Sequence, residues 1–231
     1  MIDRKKRLPV ALTFLFFLGV FLVVVIQLKD RVFGPRQANI LAHMQSTGTC
    51  KFCDLTNADL KDLDLRKINL SQAKLSGADL SGANLHKAIL SGADLSGANL
   101  YKAILSGADL TEANLSRAYL QKAYLGGANL TGGDLFKVDL TRADLTEANL
   151  SKTNLSRAIL YKAILYRGSL LRANLTQADL TLAFLAEADL SFADLSGVDL
   201  STADLHSVIL SDVVFCQTTM PDGKLSNVSC N

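Results

Sequence analysis

Tryptophan is absent from the 231-residue chain, histidine occurs three times, and aromatic residues make up only 6%. A large excess of one charge is lacking too, since the formal net charge is +2. That small excess lies at one end. Residues 1–53 carry eight Lys/Arg against two Asp, residues 54–215 carry 15 against 19 acidic residues, and the tail is neutral. A whole-chain nucleic-acid binder is thereby excluded, because the longer part is net negative. Disorder is excluded as well: 49% of the residues are hydrophobic and the charge is modest. The length suits one domain, or one domain with an appendage.

The appendage is at the N-terminus. Residues 8–28, LPVALTFLFFLGVFLVVVIQL, are uncharged and follow Arg4, Lys5, Lys6 and Arg7. As a helix rising ~1.5 Å per residue the run spans ~30 Å, the depth of a bilayer core. Pro9 falls in the first turn, where its missing N–H does no harm. The sequence predicts a signal-anchor helix over 8–28, which makes the membrane a partner, with residues 1–7 as a basic cytoplasmic N-terminus. A cleaved signal peptide is the rival reading, but its apolar part is usually ~7–15 residues and ends at a small-residue site. Here Gln27, Leu28, Lys29, Asp30 and Arg31 close the run. A buried core helix is the third reading, and nothing downstream is helical enough to surround it.

Past residue 54 the period is five. Every fifth residue from Leu55 to Leu210 is leucine, 32 in succession, and Phe215, Met220 and Leu225 extend the register. Alanine stands two residues before the leucine in 23 of 32 pentads, and the residue between them is usually Asp or Asn. Five fits neither the helical 3.6 nor the strand period of 2, and a coiled-coil seam repeats every 3.5. It fits a short extended piece and a corner. Leucine and alanine then point inward, the residue between them points out, and the next two residues turn in solvent. Asp or Asn is placed to accept from a nearby backbone N–H, as in an Asx turn.

These residues resemble the pentapeptide-repeat family, whose motif is A-(D/N)-L-x-x; SGADLSGANL at 76–85 and 91–100 states it in full. The resemblance covers about 54–215 and implies an all-β fold, a right-handed quadrilateral β-helix of about eight coils. At ~4.8 Å per coil such a rod is ~39 Å long. Residues 29–53 are read as a linker and N-terminal cap, with a short helix over 36–45 placing Ile40, Leu41 and Met44 on one side. CKFCDLTNADL, with Cys50 and Cys53, looks like the entry sequence of cyanobacterial-type members. FCQTTMPDGKLSNVSC, with Cys216 and Cys230, resembles their closing hairpin over 216–231, with a turn at Pro221–Asp222–Gly223.

In such a rod the two cysteine pairs sit at opposite ends, so they cannot share a zinc ion whose bonds are ~2.3 Å. His86 and His206 are six coils apart. No metal and no cofactor is implied. Two disulfides are expected, Cys50 with Cys53 and Cys216 with Cys230, which points to an oxidising compartment and an extracytoplasmic rod. Cys50 and Cys53 also form a C-x-x-C, leaving a thiol–disulfide redox role as an alternative.

Residues 20 apart share a wall if no residue is inserted. This gives a basic column, Lys102, Lys122, Arg142 and Lys162, with Arg117, Lys137 and Arg157 on the neighbouring face. An apolar column of Ile104, Tyr124, Ile164 and Phe184 is interrupted by Asp144. With Tyr101, Tyr161 and Tyr166 these form a candidate binding face. Stacked Ile and Tyr also stabilise neighbouring coils without any partner. Beyond Arg172 no Lys or Arg occurs until Lys224. No phosphate loop, nucleophile–histidine pair or singled-out carboxylate pair is present, so no enzyme is expected. The leading expectation is a membrane-tethered, non-enzymatic scaffold binding unidentified protein partners in the periplasm or thylakoid lumen, with no nucleic acid bound and the oligomeric state open. A second alternative comes from family members that protect DNA gyrase by imitating DNA; the basic column and mild charge fit it poorly.

Overall fold

A computed structural model describes residues 35–230. The predicted anchor over 8–28 lies outside the described residues. Helix α1 (Pro35–Thr47) comes first. Proline suits its first turn, and Gly48, at φ 67°, ends it with its N–H donating to the Met44 carbonyl at 2.9 Å. Leu41 and Met44 are buried, while Ile40 is half-buried. The helix outruns the expected 36–45 because no residue before Gly48 stops it; Ser46 and Thr47 hydroxyls both cap the His43 carbonyl.

From Thr49 to Thr219 the outward residues, Asp179 excepted, bridge in parallel the residue 20 positions later: Thr49 to Asn69, Asp54 to Lys74, and so onward. Four pentads therefore make one turn of a four-walled coil. We name the walls by these residues: wall I (Asn84, Ile104, Tyr124, Asp144, Ile164, Phe184), wall II (Asn69, Ile89, Asp109), wall III (Lys74, Asp94, Asn114) and wall IV (Asp79, Asn99, Tyr119, Asp139, Ile159). The fifth-residue leucines from Leu70 to Leu200 are wholly buried. Alanine precedes them because the wall begins at its N–H, which closes a turn onto the previous leucine carbonyl, as from Ala58 to Leu55 at 3.0 Å.

Each corner but the one at Thr202 is a four-residue turn whose third residue has positive φ, such as Asn57 at 55° and Lys122 at 59°. A positive φ at that residue alone is the type II signature. Wall carboxylates and amides fix the entry to each corner. Asp79 Oδ1 accepts from Ser81 N–H at 2.9 Å, and Asn99 Oδ1 from Tyr101 N–H at 3.1 Å. Where threonine replaces alanine, at buried Thr153, its hydroxyl donates to the Leu150 carbonyl at 2.6 Å, so no polar group is stranded.

The far end closes with a hairpin of β1 (Phe215–Thr219) and β2 (Leu225–Val228), paired antiparallel. Its three-residue loop, Pro221–Asp222–Gly223, carries Gly223 at φ 76°, the arrangement of a type I turn followed by a left-handed glycine. β1 still pairs with the preceding coil, Asp199 to Thr219, while β2 runs back alongside it. Leu225 corrects the register expected from the period. It is 60% exposed, because the chain has already reversed and no fifth-residue position points inward.

Candidate binding walls and disulfide caps

The two cysteine pairs are joined as disulfides, Cys50–Cys53 and Cys216–Cys230. Cys50 occupies the leucine position of its pentad and Cys53 the alanine position, so the first bridge spans a corner. Cys50 is buried and its N–H donates to the Asn69 carbonyl at 2.7 Å. A thiolate must be reachable to begin exchange, and Cys50 is 1% exposed while Cys53 is half-buried. The second bridge ties the second residue of β1 to the second residue past β2, holding the hairpin shut.

Lys102, Lys122, Arg142 and Lys162 stand at the corner between walls IV and I, each at the positive-φ position. Tyr101 and Tyr161 precede two of them. The Lys102 and Lys122 ammonium groups lie 5.2 and 5.8 Å from the Tyr101 ring, and that of Lys162 lies 5.1 Å from Tyr161. Desolvation raises the Tyr101 hydroxyl, but the charges and hydrogen bonds of the two lysines outweigh it and hold the group below its ordinary value. Ile104, Tyr124, Ile164 and Phe184 form one ladder on wall I with Asp144 between them, and all four side chains are exposed. Tyr166 stands apart at the other edge of wall I. Its hydroxyl meets Glu187 at 3.1 Å, its ring carries Arg167 at 4.8 Å, and Arg167 pairs with Glu187 at 2.7 Å.

Leu182 continues the basic corner as an exposed leucine, a residue that sequence reasoning missed. Its signal was present: it is the next residue after Lys162 at a spacing of 20. Arg117, Lys137 and Arg157 line the corner between walls III and IV, with Lys137 5.2 Å from the Phe136 ring. Wall IV is therefore bordered by cations on both edges. At one end of it, Lys61, Asp79, Asn99, Tyr101, Tyr119 and Gln121 line a shallow, open depression. Among the described residues no cluster of three or more His, Cys, Asp or Glu is placed to hold a metal, and no helix is long and apolar enough to cross a membrane.

The geometry is shared with proteins of known structure. The family model described as pentapeptide repeats (8 copies) matches residues 53–92, 93–132, 134–170 and 169–206. Among solved structures, HetL from the cyanobacterium Nostoc sp. strain PCC 7120, a pentapeptide repeat protein involved in regulating heterocyst differentiation, is 37% identical. The match covers 77% of this chain and 89% of that one, with a TM-score of 0.55. QnrB1, a plasmid-mediated fluoroquinolone resistance protein, is 25% identical over 63% of this chain and 78% of its own, with a TM-score of 0.48. A pentapeptide repeat protein from the Arabidopsis thaliana thylakoid lumen is 30% identical over 47% and 68%, with a TM-score of 0.23. No curated protein sequence matches. Repeat, four-walled coil and matched residues agree, and the chain belongs to the pentapeptide-repeat family, whose right-handed quadrilateral β-helix it adopts.

Proposed function

We propose that this protein is a non-enzymatic scaffold, tethered to a membrane through residues 8–28, that holds protein partners against its walls in the periplasm or thylakoid lumen. The observation that carries the binding role is the exposed ladder Ile104, Tyr124, Ile164 and Phe184 beside an unbroken column of cations. A wall built of buried leucines and ladder hydrogen bonds presents those side chains without an ordering cost at the moment of binding. The 21-residue apolar run supports the tether. Disulfides at both ends support the compartment, since such bridges persist outside reducing cytosol. The enclosed Cys50 disfavours the redox reading, and the cation columns disfavour DNA mimicry.

Lys122→Glu with Tyr124→Ser tests the binding role. The chain itself shows that both are tolerated. Glu112 and Glu147 hold the same corner conformation, at φ 56° and 58°, and Ser169 occupies the equivalent outward position on wall II. Partners recovered after cross-linking in intact cells are expected to be lost, with the circular dichroism spectrum unchanged. Undiminished recovery refutes the reading.

A further inference from the structure

The four corners differ in how charge is distributed along them. At the edge shared by walls I and II the signs are mixed, Lys67 and Lys87 being followed by Glu147, Arg167 and Glu187, of which the last two are paired at 2.7 Å. The edge between walls II and III mixes Glu112, Lys152 and Arg172. At the two edges of wall IV the charged residues at the positive-φ position form unbroken runs of cations through the middle coils: Arg117, Lys137 and Arg157 between Gly97 and Gln177, and Lys102, Lys122, Arg142 and Lys162 between Gly82 and Leu182, with Asp62 one coil before Gly82. None of the seven belongs to an ion pair among the described residues; Arg157 donates to Gln177 Oε1 at 3.0 Å. Like charges stacked ~4.8 Å apart oppose folding. The fold does not require them, because the same position accepts Gly, Asn, Gln and Glu elsewhere. Four of them lie over the Tyr101, Phe136 or Tyr161 rings, contacts that leave their positive charge uncompensated.

The floor between the rows is chosen too. Wall IV presents Asn99, Tyr119, Asp139 and Ile159 there, and the single carboxylate is already engaged. Asp139 Oδ1 accepts from Thr141 N–H at 2.9 Å and Oδ2 from Gln121 Nε2 at 2.7 Å. A wall of three extended residues is about 10 Å across, so long basic side chains on both edges make a trough about as wide as an α-helix. Tyr119 and Ile159 are two coils apart, ~9.6 Å along the axis, and a helix advances ~10.5 Å in seven residues.

We propose that wall IV docks an acidic amphipathic helix of a protein partner, lying along the rod. Apolar residues seven apart sit on Tyr119 and Ile159, and carboxylates on both flanks reach the two cation rows. An extended acidic strand fits less well, since its side chains alternate between faces and only half would meet the trough. This rests on the scaffold reading and names the chemistry of one partner.

The test uses the full chain in detergent micelles and a fluorescent 18-residue helical peptide with leucine every seventh position and glutamate on both flanks, read by anisotropy. Binding that weakens with added salt is expected. Lys137→Glu with Arg157→Glu should weaken it about tenfold or more, while Lys152→Glu with Arg172→Glu, the same charge change at the edge between walls II and III, leaves it within about twofold. A scrambled peptide of equal charge should bind about tenfold less. The proposal is overturned by absent binding, by equal binding of the scrambled peptide, by indifference to the wall IV charge reversals, or by tighter binding of duplex DNA. If any of these occurs while Lys122→Glu with Tyr124→Ser still abolishes partner capture in cells, the helix proposal fails alone and the scaffold reading stands.

Discussion

One corner of the rod departs from all others, and a single substitution tests why. Residues at the third turn position have positive φ from Phe52 to Gln217, except Thr202. Thr202 is also the one β-branched residue at that position. Branching at Cβ makes the left-handed region a steric outlier. The corner therefore keeps its turn bond, Ala203 N–H to the Leu200 carbonyl at 3.2 Å, without the usual φ. The ladder beside it opens. The bridge from Asp179 to Asp199 is missing from an otherwise continuous series, and the Leu182 N–H donates to Thr202 Oγ1 at 3.0 Å instead of to a backbone carbonyl.

Thr202→Asn, which tolerates the left-handed region, should restore two bonds: Leu180 N–H to the Asp199 carbonyl, and Asp199 N–H to the Ala178 carbonyl. At about 1 kcal/mol net each the gross gain is about 2 kcal/mol. Placing a side chain at positive φ returns about 1 kcal/mol of that. The net gain of about 1 kcal/mol corresponds to roughly 2–4 °C in Tm for a domain of this size. Amide hydrogen exchange is the direct assay, with Leu180 and Asp199 expected to gain protection. Thr202→Val keeps the branch and deletes the hydroxyl, so it should expose the Leu182 amide and lower stability by about 1 kcal/mol. Unchanged protection in Thr202→Asn refutes the assignment of the break to Cβ branching.

Two further outcomes are expected. In intact cells, a bulky thiol reagent should label none of Cys50, Cys53, Cys216 and Cys230 until a reductant is added, read as a mass shift; labelling without reductant overturns the extracytoplasmic placement. Stability should also fall in acid. Hydrogen bonds from Arg66 to Asp64, from Ser201 to Asp199 and from Lys224 to Asp222 hold these carboxyls below their ordinary values. A lowered folded-state value contributes stability that is complete above the unfolded carboxylate value and is lost as pH falls through the folded one. The urea midpoint should be level from pH 7 to about pH 5 and drop below about pH 4, with Asp64→Asn flattening the drop.

The core was legible because its code is local. Leucine every fifth residue, alanine two before it and Asp or Asn between them each describe one wall and one corner, and each takes that role in the coils. The same holds for Pro221–Asp222–Gly223 turning the hairpin, whereas Gly48, which ends α1 beyond the expected Gln45, was not read as the stop. Leu225 misled because a period read along a chain does not announce where the chain reverses. Tyr166 was grouped with the other tyrosines, although its partners, Glu187 and Arg167, lie at the edge of wall I away from the basic corner. The corner at Thr202 was readable in principle, since a single β-branched residue among 34 equivalent positions is visible in the sequence. It needed the knowledge that this position must be left-handed.

The sequence by itself determined the repeat, the buried residues, the corners and the positions of the two cysteine pairs, because each follows from whether a side chain points inward, outward or around a bend. The tertiary structure decided what those pieces border. Only closure after four pentads brings residue i against residue i+20, and only that closure sets Arg117, Lys137 and Arg157 across one wall from Lys102, Lys122, Arg142 and Lys162. A five-residue period is compatible with several numbers of walls. The number is fixed when parallel ladder bonds from one coil must find carbonyls on the next, a condition that no single pentad contains.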